Sequence, residues 1–143
     1  IPALMSAHVI YPALDPRRPA TLSPAICTTL LRDRLRFEGV LFSDDLEMQA
    51  VAGRATPEHL APTALAAGCD MLLVCQSLDT ARAAMRGVEE ALGRGRLAAA
   101  DVATALGRLQ ALRRRLRAMP PRAPLRWPAH ARLAARLAAA PPA

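Results

Sequence analysis

The sequence predicts an α/β chain built on a parallel sheet, and three observations lead there. Short apolar runs beginning near Leu4, Val40 and Met71 each stop abruptly on polar residues, the pattern of strands buried on both faces. Each interval between them carries one helical pattern. The run starts lie 36 and 31 residues apart, the rhythm of successive βα units joined by right-handed crossovers. Two architectures satisfy this rhythm: a small open α/β sheet, or the last third of a (β/α)8 barrel, since three units cannot close one. The chain starts on a strand approach and without methionine. The barrel portion, a piece of a longer protein, is therefore the expectation.

Taken in order, Ala3 to Ala7 read as the first strand, with His8 directly after it. The proline-rich stretch Tyr11 to Pro19 forbids ladder pairing and reads as a stiff loop at the strand's end. Ser23-Pro24 is a helix start, serine as cap and proline in the first turn. Ile26, Leu30, Leu31 and Leu35 supply an apolar face, with Arg32, Asp33, Arg34 and Arg36 mostly opposite. That helix ends before Gly39, and Val40 to Phe42 form the second strand. Gln49 to Arg54 read as a short helical turn and loop. Thr56-Pro57-Glu58 opens another helix, which Pro62 is expected to restart or bend and Gly68 to close. Asp70 to Cys75 form the third strand. Helices over about Asp79–Leu92 and Ala98–Met119 follow. Gly93 and Gly95 end the first; Val102, Ala105, Leu106, Leu109, Leu112 and Leu116 stripe the second. Residues 1–119 make one domain, and 120–143 a Pro/Ala/Arg-rich tail with a short helical pattern.

Composition excludes several function classes. The net charge is +7 and every Lys/Arg position is arginine, so no lysine nucleophile or Schiff base is available. Only two Phe, one Tyr and one Trp are present, too few for a base-stacking platform, so nucleic acid is not the expected partner. The basic run Arg113-Arg114-Arg115 with Arg117 reads as a solvated helix face. No apolar run approaches the ~20 residues of a membrane span. Cys27, Cys69 and Cys75 lack paired spacing, which fits a reducing compartment; Cys69 and Cys75 read as core. His8, His59 and His130 are far apart, so neither a metal site nor a cofactor is expected.

The second strand delivers the one concentration of chemistry. Gly39-Val40-Leu41-Phe42-Ser43-Asp44-Asp45-Leu46-Glu47-Met48 ends its apolar run on two adjacent carboxylates, where parallel strands flanked by helices place functional groups. From spacing alone, capping of the next helix by one of them is an equal alternative.

Four segments in order carry a resemblance. They are Leu4-Met5-Ser6-Ala7-His8-Val9 with Tyr11-Pro12-Ala13-Leu14-Asp15, Pro19 to Ser23, Gly39 to Met48, and Ala67 to Cys75. Together they closely resemble glycoside hydrolase family 3, and within it the bacterial β-N-acetylglucosaminidases of peptidoglycan recycling. The resemblance covers about Ile1 to Met119 and implies strands six to eight of that family's TIM barrel. It implies that Asp44 is the catalytic nucleophile of a retaining glycosidase, forming a covalent glycosyl-enzyme. His8, on the same face, would hydrogen-bond the carboxylate or line the sugar pocket. Met48 is the other substrate-side candidate, with inward packing its competing role. Ser43 and Asp45 become structural neighbours, Asp45 capping or bracing the loop. The implied substrate is an N-acetylglucosamine-containing muropeptide, met in the cytoplasm.

The acid/base histidine–aspartate loop that this subgroup carries after strand five is not in the sequence, nor are the sugar-binding residues of its early strands. The chain alone is therefore expected to be inactive, with the N-terminal barrel half as its missing partner and poor solubility or self-association in isolation. Two other classes stand beside this one: a non-catalytic α/β binding module with an acidic pocket, and an arginine-rich interaction protein.

Overall fold

The computed structural model describes residues 1–117 and 128–139. Its centre is a three-stranded parallel sheet, β1 (Ala3–Met5), β2 (Val40–Asp45) and β3 (Met71–Leu73), in the order β1-β2-β3. Ala3 faces Val40 and Met5 faces Phe42. Between β2 and β3 the register runs from Phe42–Met71 to Asp45–Leu73, so β2 carries one extra residue there. That bulge lies at Ser43–Asp44. β2 is thereby longer than the sequence predicts and includes both carboxylates, while β1 and β3 are shorter.

A helix over Ala25–Arg34 follows β1, bonded in the wider π pattern, with Leu35 N donating to Leu30 O at 2.9 Å. Ser23 Oγ accepts the Ile26 amide at 3.3 Å and donates to Asp15 Oδ2 at 2.7 Å, tying the proline-rich loop to the helix start. The wider turn corrects the expected faces. Spacing at 3.6 residues puts Leu35 inside and Arg32 outside; in fact Leu35 is 64% exposed and the Arg32 side chain only 9%.

α1 (Gln49–Ala52) is the expected short turn. α2 (Pro57–Ala67) runs through Pro62 without restarting. Pro62 lacks the amide that would bond the Glu58 carbonyl. α3 (Leu78–Gly93) crosses there with Gly87 against the Glu58 backbone, so closely that a Cβ would overlap it. Gly68 ends α2 at φ 118°, with its own amide on Leu65 O and the Cys69 amide on Ala64 O, a Schellman closure. Ser77 caps α3 by accepting the Thr80 amide.

α4 (Ala99–Arg117) buries only Ala105; Leu106 and Leu116, expected on its inner stripe, are exposed. The expected helix end at Met119 and the tail boundary after it lie outside the described residues. α5 (Pro128–Ala138) matches the helical pattern read in the tail.

The core collects Leu22, Cys27, Leu41, Leu46, Val51, Leu60, Ala61, Ala64, Ala67, Cys69 and Ala84 around β2 and α2. At the amino ends of the strands, buried Asp70 pairs with Arg32 at 2.6 Å and Arg108 at 2.8 Å and accepts the Leu41 amide at 2.8 Å. Arg32 also donates to Phe37 O, Gly39 O and Gly68 O and lies over the Phe37 ring. This one cluster joins the helix Ala25–Arg34, β2, β3 and α4. Both sheet edges are open and flanked by apolar grooves. One, of about 300 Å³, includes Leu4, Met5, Leu30, Leu31 and Leu35; the other, of about 400 Å³, includes Leu72, Val74, Met85 and Val88.

Candidate active site

The carboxyl end of β2 carries the concentration of polar groups. Ser43 is fully buried, and its hydroxyl accepts the Leu73 amide at 2.9 Å. It thus replaces a ladder bond that the bulge removes, and bulges re-aim the side chains beside them. Asp44 is half-buried, and its Oδ1 accepts the Asp45 amide at 2.9 Å. No donor among the described residues reaches its other oxygen, which stays open to a ligand.

Asp45 faces the next loop. Its Oδ1 accepts the Glu47 amide at 3.1 Å and the Cys75 amide at 3.3 Å, bracing the chain after β2 against the chain after β3. Leu46, fully buried, adds its amide to Leu73 O at 3.0 Å.

His8 reaches this segment from β1, but not through the Asp44 carboxylate that the sequence reading offered as one partner. Its Nε2 bonds the backbone carbonyl of Asp45 at 2.9 Å. A carbonyl only accepts, so Nε2 carries the proton. Nδ1 is buried without a hydrogen-bond partner. Beneath it, the Ser6 amide donates to Phe42 O and the Ser6 hydroxyl pairs with Thr21 at 2.8 Å, fixing the turn that aims His8.

Met48 is 43% exposed, so it is not packed into the core among the described residues. Cys75, expected in the core, is exposed, because β3 ends at Leu73 and its next residues enter a loop. Partial desolvation by its neighbours and the nearby carboxylates Asp45 and Glu47 hold its thiol above the usual value.

Glu47 escaped the sequence reading. Its carboxylate accepts the Gln76 amide at 2.6 Å and the Ser77 amide at 3.1 Å, and the Gln76 bond leads the causes that hold its acid below the usual range. The available signal was weak: a third acidic residue shortly after a strand end. Glu47 also lines a cavity of about 630 Å³ with Leu46, Arg54, Thr56, Gln76 and Thr80, and neither Asp44 nor His8 is in that lining. Among the described residues, no group of three or more His, Cys, Asp or Glu stands ready to hold a metal ion. No helix among them is long and apolar enough to cross a membrane.

Comparison with known proteins supplies the context. The chain is 51% identical over 81 residues to a β-hexosaminidase of Chromobacterium violaceum and 49% over 78 residues to one of Nitrosomonas eutropha. These alignments cover 57% and 54% of this chain but 22% of each relative, so the chain spans under a quarter of their length. Its structure is similar to the glycoside hydrolase family 3 β-N-acetylglucosaminidase of Paenibacillus sp. FPU-7. The TM-score is 0.79 at 34% identity, covering 88% of this chain and 24% of that one. The β-N-acetylglucosaminidase of Thermotoga maritima gives a TM-score of 0.72 at 29% identity, covering 77% and 24%. The model of the glycosyl hydrolase family 3 N-terminal domain matches residues 1–112, and the chain belongs to that family.

Proposed function

We propose that this chain carries the nucleophile part of a retaining β-N-acetylhexosaminidase. β1, β2 and β3 are, in this reading, the last three strands of an eight-stranded barrel whose other strands continue both open edges. The parallel order, the apolar groove beside each edge and the quarter-length match to whole enzymes support it. The observation that carries the reading is Asp44 itself, half-buried at a bulged carboxyl end of the central strand, with one oxygen tied to the Asp45 amide and the other open.

The open oxygen of Asp44 attacks the anomeric carbon as the glycosidic bond to the leaving group breaks, forming a glycosyl-enzyme. Water then attacks the same anomeric carbon and the bond to Asp44 breaks, so two inversions give net retention. The proton for the leaving oxygen comes from a group outside this chain, so residues 1–143 alone do not turn over substrate. The substrate class is a terminal β-linked N-acetylglucosamine on peptidoglycan fragments, met in the cytoplasm. The names of the relatives support the sugar, the resemblance of the four segments is the ground for the peptidoglycan fragment, and the three free thiols fit a reducing compartment. His8 and Met48 stand at the substrate face.

The test is a chimera in which residues 1–112 replace the matching segment of the Chromobacterium violaceum enzyme. It should release chromophore from an aryl N-acetyl-β-glucosaminide, and Asp44→Ala should abolish release. Activity that survives Asp44→Ala, or an inactive folded chimera, overturns the reading.

A further inference from the structure

The segment that carries Asp44 is laced to its neighbours on both sides. From β1, His8 holds the Asp45 carbonyl. Toward β3, Leu46 holds Leu73 O and Asp45 Oδ1 takes the Cys75 amide. Glu47 makes the outermost tie and the shortest, 2.6 Å to the Gln76 amide, with Ser77 beside it. A carboxylate accepting backbone amides makes bonds about twice as strong as neutral ones.

Among the described residues the Asp44 carboxylate has one protein partner, the amide of the very next residue. It therefore has no independent anchor, and its direction follows the backbone of residues 44–45. Whatever immobilises that backbone aims the carboxylate. We propose, resting on the reading of Asp44 as nucleophile, that Glu47 is a positioning residue for it: clamped on the Gln76 and Ser77 amides, the Glu47 carboxylate holds the Asp44–Glu47 segment and so sets where the Asp44 carboxylate points. Without that clamp, the segment keeps, among the described residues, His8 on one side and the Leu46 and Asp45 bonds on the other. The Asp70 cluster, which joins the elements at the opposite end of the strands, is untouched.

The test uses the whole 143-residue chain, isotopically labelled, with amide hydrogen exchange read residue by residue. The Asp45 amide reports the Asp44 carboxylate directly, because that is its bond. The Ser6 amide, bonded to Phe42 O, reports β1–β2 pairing. Glu47→Ala should speed exchange at Asp45 roughly tenfold or more and move its proton shift, leaving Ser6 unchanged. Glu47→Gln keeps one oxygen acceptor without charge and should give an intermediate acceleration. Unaltered exchange at Asp45 in Glu47→Ala overturns the proposal. So does a parallel rise at Asp45 and Ser6 in both variants, which would make Glu47 a support of the fold. An inactive chimera would remove the nucleophile reading without altering the exchange result, so the two failures are distinguishable.

Discussion

Asp70→Ala is the substitution with the largest expected effect. The Asp70 side chain is 1% exposed and engages Arg32, Arg108 and the Leu41 amide. Removing it leaves the Arg32 guanidinium, 9% exposed, as a buried charge without its counter-ion, and orphans a strand amide. Breaking a buried ion pair from one side costs about 3–5 kcal/mol. That is a large share of the ~5–15 kcal/mol that stabilises an ordinary domain. Arg108 is 30% exposed, so Arg108→Ala leaves water to solvate Asp70 in part, and about 1 kcal/mol is its expected cost. Asp70→Asn keeps an acceptor for Leu41 and should fall between the two. Urea unfolding followed by far-ultraviolet circular dichroism measures all three. The order Asp70→Ala, Asp70→Asn, Arg108→Ala is the expectation. Asp70→Ala within about 1 kcal/mol of the unsubstituted chain would refute the argument that this cluster ties the strand ends together.

Four further outcomes follow from the structure. Gly87→Ala places a Cβ on the Glu58 backbone and should cost about 1–3 kcal/mol by overpacking α2 against α3, read from the shift in urea midpoint. In the native chain a maleimide should label Cys75 and spare buried Cys27 and Cys69, with all three labelled in urea, as mass spectrometry would count. Glu47 is held below its usual 4.5, so its contribution to stability is present above 4.5 and is lost as the pH falls through the lower folded value. Unfolding measured across that window should show a shallower acid slope in Glu47→Gln. Sedimentation velocity should find the chain self-associated, given two open sheet edges and exposed Met5, Leu35 and Met85; a compact monomer would contradict this.

What was legible in the sequence was what repeats or punctuates. The apolar runs near Leu4, Val40 and Met71 became the three strands, and Gly68 closed α2. These follow from local physical chemistry, because parallel strands are written as continuous apolar runs and a left-handed helix end favours glycine; only β2 is largely buried as expected, while β1 and β3 expose Met5 and Met71. The helix over Ala25–Arg34 was legible as a helix but not in its faces, because its wider turn breaks the 3.6-residue spacing on which that reading depends.

Asp44 and Asp45 show the boundary best. Spacing by itself determined that two carboxylates end a buried strand, and only the resemblance assigned them different roles. The register between β2 and β3 gives them different surroundings. A single extra residue in β2 leaves one oxygen of Asp44 open and sets Asp45 against the Cys75 amide. Arg32 over Asp70, His8 on a carbonyl and Glu47 on the amides of Gln76 and Ser77 are likewise partnerships between residues about 30 to 40 positions apart. No local pattern encodes them, because each exists only once parallel crossovers bring three strand ends side by side.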